Sequence, residues 1–144
     1  ESDFPKTLSA TGLFADLATH ELAEGVFPYS VNAEQWADGA IQRRALALPA
    51  FPDESGDLTT EPIGFRKQGV WKLPEDTVLL KTLSFSTPDY ERPIETQMLT
   101  LQDGDWAAYL YKWNQAGTDA TLAPEGGEEA VLEIPSSYVN PHCN

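Results

Sequence analysis

Hydrophobic and polar positions alternate most regularly over residues 94–113, where IETQMLTL and WAAYLYKW flank the tetrapeptide Gln102-Asp103-Gly104-Asp105. Two runs rich in Ile, Thr, Leu, Tyr and Trp on either side of Asp-Gly predict a β-hairpin, because Asp-Gly supplies the positive φ angles of a tight turn at low steric cost. A period of two places Tyr109, Tyr111 and Trp113 on one face of the second strand and Trp106, Ala108 and Leu110 on the other. One face is thus an aromatic ladder and the other is smaller and apolar. A hairpin apolar on both sides belongs in the middle of a β-sandwich, or carries its ladder at a binding surface.

The flanking segments extend the same pattern. Residues 41–48 (IQRRALAL) read as a strand closed by Pro49, and residues 77–85 (TVLLKTLSF) as a strong strand of β-branched, aliphatic and aromatic residues. Between them, PAFPDESGDLTTEP reads as an exposed loop, and residues 64–73 carry Phe65 and Trp71 across a bend at Gly69. A turn with Pro88 and Asp89 precedes the hairpin. A loop at 115–118, a short run through Leu122, a Pro-Glu-Gly-Gly turn and a late strand AVLEI follow it. The first forty residues differ in texture. Ser9 or Thr11 suits the cap of a short helix through Leu13, Phe14 and Leu17, ending by Gly25, and Asn32 the cap of a helical turn carrying Glu34, Gln35 and Trp36. The fold class expected is all-β: an antiparallel β-sandwich or jelly roll spanning 41–135, with a helical or irregular segment 1–40 packed on it as part of a single domain 1–144.

Composition narrows the partners. The chain has 144 residues, long enough to bury roughly two-thirds of its unfolded surface, and 41% of them are hydrophobic, which is ordinary for a globular protein. A net charge of -14, with nine Lys and Arg against 23 acids, argues against nucleic acid or an anionic membrane as partner. No apolar run is long enough to span a bilayer, and no signal peptide is visible. The chain opens at Glu1, which suits a mature extracytoplasmic domain, periplasmic or extracellular. Cys143 is the single cysteine, so no intramolecular disulfide framework exists. His20, His142 and Cys143 are too scattered to suggest zinc or copper, and no metal ligands are assigned.

The order FPKTLSATGLF, PYSVN, W-x-DGA, RRALALP, V-W-KLPEDTVLLKT, IETQMLTLQDGDW, Y-K-WN and TDA, spanning residues 4–120, resembles a domain of secreted bacterial proteins in which c-type haem (CxxCH) segments follow. That domain is similar to modules that accompany carbohydrate-active and redox domains. The resemblance implies an extracytoplasmic setting and redox or polysaccharide-processing neighbours in the same protein. This chain ends NPHCN and contains no CxxCH. The resemblance therefore implies no cofactor in the chain itself, with haem confined to a segment downstream.

Catalytic templates are missing from the sequence: there is no G-x-S-x-G elbow, no His-rich metal motif and no phosphate-cradling glycine loop. Gln102-Asp103-Gly104-Asp105 lacks the length and closing acid of an EF-hand, although so many acids are compatible with calcium at another loop. Two groups of residues are candidates for chemistry. Trp71, Tyr109, Tyr111 and Trp113 with Asn114 and Asp119 suit a sugar, whose ring stacks on an aromatic face while its hydroxyls meet polar groups. Core packing is the commoner fate of such a ladder, and Trp113-Asn114 at the strand end is the part expected to reach the surface. Asp38, Arg44, Lys81 and Glu95 form the second group, with Lys81 and Glu95 as cross-strand neighbours; a structural ion pair or a solvent-facing row is the plainer account of them. The leading functional expectation is a non-catalytic accessory or binding module of a redox or polysaccharide-processing protein. The alternatives are a module binding carbohydrate directly through aromatic stacking, and a small hydrolase with a carboxylate pair such as Glu95 and Asp119.

Overall fold

Ten strands follow one another along the chain: β1 (Phe14–Asp16), β2 (Glu21–Leu22), β3 (Val26–Tyr29), β4 (Ile41–Ala47), β5 (Ala50–Pro52), β6 (Leu58–Thr60), β7 (Val78–Ser86), β8 (Glu91–Gln102), β9 (Asp105–Trp113) and β10 (Ala120–Leu122). They belong to a computed structural model that describes residues 4–86 and 91–127. Six of them form one antiparallel sheet in the spatial order β10-β9-β8-β7-β4-β3. That order is a meander in which only the β5–β6 excursion separates strands that are neighbours in the sheet. The protein is all-β and sandwich-like, as the alternation predicts.

The hairpin between β8 and β9 forms as read. Asp103 (φ 52°) and Gly104 (φ 82°) make the two-residue turn, and Gln102 faces Asp105 across it. The Gly104 amide donates to the Glu75 carboxylate at 3.2 Å, tying the turn to the segment before β7. β8 begins three residues earlier than the alternation suggests. A register shift opposite Leu83 and Ser84 inserts Ile94 as an extra residue. Such a bulge allows Pro93, which lacks an amide hydrogen, to lie within a strand.

The expected N-terminal helices do not form. Among the described residues the one helical element is a 3-10 turn at Ser9–Thr11, ended by Gly12 in the left-handed region. Asp16 then accepts hydrogen bonds from the amides of Ala18 and Thr19, a local turn that competes with helix. His20 at φ 57° reverses the chain into β2. Residues 30–37, where the sequence predicts a second helical turn, are irregular. The segment from 49 to 62 is likewise more ordered than a loop: β5 and β6 pair as a ribbon around the Asp53 side chain, which accepts from the amides of Ser55 and Asp57. The strand residues of this ribbon are nevertheless exposed. The late strand AVLEI, the turn at Pro88-Asp89, and His142 and Cys143 lie outside the described residues.

The core sits on one face of the sheet. Leu80 of β7, Met98 of β8, Tyr111 and Trp113 of β9, Ala45 of β4 and Ala120 of β10 pack against Leu8 and Leu17 of the N-terminal segment. Phe4 stacks on Tyr109 with ring centroids 3.6 Å apart. Residues 6–8 also extend the sheet beyond β10, with Leu8 N donating to Ala120 O at 2.8 Å and Leu122 N to Lys6 O at 2.9 Å. The start of the chain therefore both lids the core and covers one sheet edge, a position otherwise open to further pairing.

Candidate functional site

Alternation sends Tyr109, Tyr111 and Trp113 to the covered, inner face. Tyr111 is fully buried and Trp113 is 7% exposed. The Tyr111 hydroxyl donates to the Pro5 carbonyl at 2.8 Å, and burial, with Tyr109 nearby, pushes this phenol up to about 12. Trp113 Nε1 donates to Thr96 Oγ1 at 2.9 Å, and Thr96 shares a hydrogen bond with Thr82 at 2.8 Å. These rings are core residues, which corrects their candidacy as a stacking platform and the expectation that Trp113 reaches the surface. The reason is tertiary: residues 4–22 lie across the face that the hairpin alone would leave open.

Asn114 and Asp119 are also engaged in holding the fold. Asn114 closes the loop after β9 through Thr118, donating from Nδ2 and accepting at Oδ1, each at 3.0 Å. Asp119 accepts from Ser9 Oγ at 2.6 Å and from the Ser9 and Ala120 amides at 3.1 and 2.7 Å. Partial burial pushes its carboxyl up, but the bonds from Ser9 and Ala120 outweigh this and hold it below the usual carboxylate range. Trp71 is 58% exposed and meets Phe65 edge-on at 5.8 Å. The two rings lie on the excursion joined by the Gly64–Lys72 bridge, apart from the other candidates.

The polar group resolves differently. Arg44 and Lys81 are direct cross-strand partners, and Lys81 faces Gln97, not Glu95. Glu95 lies further along, opposite Leu83 and Lys112, and accepts from Gln97 Nε2 at 2.6 Å. Asp38 stands apart in the turn before β4, at φ 51°, accepting from Trp36 Nε1 at 3.3 Å. Arg44, Lys81 and Glu95 thus share the outer face of the sheet, and Asp38 does not join them.

That outer face carries an open depression of about 1260 Å³ running from Tyr29 of β3 to the chain after β10. Its floor is built in rows, one residue per strand. An apolar row passes through Leu79, Leu99 and Ala108, and beside it a largely polar row passes through Tyr29, Arg44, Lys81, Gln97 and Leu110. Arg44 is held in place, donating to Glu34 at 2.9 Å and to Gln42 at 2.5 Å. Tyr29, Gln97, Leu79 and Leu99 are site residues that sequence reasoning misses. The Leu79, Lys81, Leu83 alternation in β7 is the available signal, and it shows a mixed face without showing that no described segment covers it.

A second polar cluster lies on the inner face beside a cavity of about 320 Å³ lined by Phe14, His20, Leu22, Arg43 and Thr82. Arg43 grips Glu91 at two points, Nε to Oε1 at 2.9 Å and Nη2 to Oε2 at 2.5 Å. This contact holds the Glu91 carboxyl low against the opposing effect of burial, helped by Ser84 and by the charges of Arg43 and His20. Ser84 Oγ itself is buried and falls short of a formed hydrogen bond among the described residues. His20 stacks on Trp113 at 5.2 Å. Burial pushes its imidazole down, Glu91 opposes the shift and Arg43 adds to it. The ion pair ties β4 to β8 within the sheet, and the His20 ring contact with Trp113 holds the N-terminal layer against it. No group of three or more His, Cys, Asp or Glu among the described residues is arranged to hold a metal.

No helix among the described residues is long and apolar enough to cross a membrane. No protein-family model, curated protein or solved structure matches the chain.

Proposed function

We propose that the domain is a non-catalytic binding module whose outer sheet face takes an extended polysaccharide chain. The observation that carries this reading is the long, open depression with an apolar row beside a polar row, built on strands and so held rigid. Five strand spacings separate β3 from β10, about 24 Å, a length that suits a linear polymer better than a small molecule. Sugar rings lay apolar C–H faces on Leu79, Leu99 and Ala108, while Tyr29, Lys81 and Gln97 meet hydroxyls from the side. The extracytoplasmic setting and the haem-bearing or carbohydrate-active neighbours implied by the sequence resemblance belong to the same proposal.

Native affinity gels containing a panel of plant and bacterial polysaccharides test it. Leu99→Glu places a charge in the middle of the depression without touching the core, and is expected to abolish retardation with an unchanged circular dichroism spectrum. Lack of retardation of the wild-type chain by every polymer would retire the polysaccharide reading.

A second reading, docking to a neighbouring domain, has its own support. Phe51, Leu58, Phe65, Val70 and Trp71 are all exposed within the β5–β6 ribbon and the following excursion. A protein-binding role for this excursion predicts that Val70→Asp with Trp71→Asp releases a neighbouring domain and leaves polysaccharide retardation unchanged.

A further inference from the structure

We infer that the outer face selects an acidic polysaccharide, with Lys81 as the subsite for a uronate carboxylate; this rests on the polysaccharide reading above. The first ground is a reversal of charge. The chain has 23 acids and nine bases, yet among the described residues the depression is lined by three cations, Lys6, Arg44 and Lys81, against one acid, Glu125. A uniformly acidic protein would repel a polyanion, so cations placed here, Lys81 above all, offset that repulsion locally. Separations beyond about 8 Å are screened at physiological ionic strength, which leaves the local charges in control of a ligand lying on the face.

The second ground is an unfavourable arrangement that the fold retains. Arg44 and Lys81 stand directly opposite each other on adjacent strands, and like charges in that position destabilise a sheet. Arg44 is compensated by Glu34 and Gln42. Lys81 has no such compensation: its ammonium makes no hydrogen bond or ion pair with any described residue. The adjacent Gln97 turns its amide toward Glu95. An ammonium with free donors therefore stands at the centre of the floor, next to a second fixed positive charge. A carboxylate bound there accepts a charge-assisted hydrogen bond from Lys81 and also relieves its repulsion with Arg44.

The third ground is the floor beside it. The apolar row through Leu79, Leu99 and Ala108 runs alongside the row that holds Lys81. A ligand that fits both rows needs an apolar ring face with an anionic group on its edge. A uronic acid residue has both. Inorganic anions and polyphosphate have only the charge, and neutral sugars only the ring.

The test uses the whole chain in native affinity gels containing polygalacturonate, the same polymer with its carboxyl groups reduced to alcohols, or polyphosphate. Retardation by polygalacturonate is expected, weakening as salt rises, with about tenfold or greater loss for carboxyl reduction and for Lys81→Met, in keeping with the strength of a charge-assisted bond. Lys81→Met keeps an apolar stem of similar length and removes the like-charge contact, so its melting temperature should equal or exceed that of the wild type. Asp38→Asn, outside the depression, should bind as the wild type does. Equal retardation by the carboxyl-reduced polymer would overturn acid selection and leave the polysaccharide reading standing. Equal retardation by polyphosphate would overturn the ring-plus-carboxylate site in favour of unselective anion exchange. Unchanged binding by a folded Lys81→Met would remove Lys81 from the site. No retardation by polygalacturonate would overturn acid selection, and the polysaccharide reading then stands or falls on the wider panel above.

Discussion

The two faces of the six-stranded sheet are built from the same strands, one residue out of phase, and they have opposite fates. On the inner face, Leu80, Met98, Tyr111 and Trp113 are covered by residues 4–22, and the polar groups there are largely paired. Thr96 accepts from the Trp113 indole and shares a hydrogen bond with Thr82, while Arg43 and Glu91 satisfy each other. On the outer face, Leu99 and Trp106 remain open, and Lys81 stands there without a partner in the described residues. Buried polar groups are expensive unless paired, and the inner face, which buries Thr82, Ser84, Thr96 and Thr100, pairs most of those it holds. The outer face meets water and escapes that constraint. Its unsatisfied charge and bare apolar row are therefore the more informative features for function.

Mutations should separate the faces, and the largest effects belong to the inner one. Trp113→Ala removes a buried indole and its hydrogen bond to the Thr96 hydroxyl, and should destabilise the domain by about 3–5 kcal/mol in a denaturant titration. A loss below about 1 kcal/mol would mean that the N-terminal layer does not seal this face. Gly104→Ala places a Cβ at φ 82°, where nothing crowds it but the backbone conformation is poor. It should cost about 1–2 kcal/mol, and an unchanged midpoint would show that the turn can adopt another type.

Acidity offers a subtler separation. His20 is held below its ordinary value of 6.5, so the folded state prefers the neutral ring. Its contribution to stability is complete above pH 6.5 and is lost as pH falls from there toward the folded value. Melting temperature should therefore decline on moving from about pH 7.5 to about 5.5, and the decline should be smaller in His20→Phe. Glu91 and Asp119 are depressed from ordinary values of 4.5 and 3.8, so their contributions fade only at lower pH. A decline of equal size in His20→Phe would place the titrating group elsewhere.

The smallest stability effects belong to the outer face. Leu99→Ala and Lys81→Met should each change stability by about 0.5 kcal/mol or less, as exposed positions commonly do. A loss of several kcal/mol at Leu99 would show that this face is a second core and would end the comparison.

Legibility in the sequence follows the range of the interactions involved. The hairpin is readable because its turn and its alternation are local, and Asp103-Gly104 occupies the tip as expected. The aromatic ladder does fall on one face, but burial of that face depends on Leu8 and Leu17, which lie far from it in sequence. The N-terminal segment suggests helix because Leu13, Phe14 and Leu17 fit a helical spacing loosely. The Asp16 turn and the reversal at His20 decide in favour of a hairpin. Lys81 and Glu95 read as cross-strand partners, whereas the register of β7 on β8 sets Lys81 against Gln97 and Glu95 against Leu83.

By itself the sequence determined the strand-forming segments, their alternation and the tight turn, since these depend on neighbours a few residues away and on backbone preferences of single residue types. Which face became core was decided only in three dimensions, because both faces of β9 carry enough apolar surface to be buried and a single N-terminal segment can cover just one of them. The outer face, with Lys81 beside Arg44 along an apolar row, is what that choice left open to a ligand.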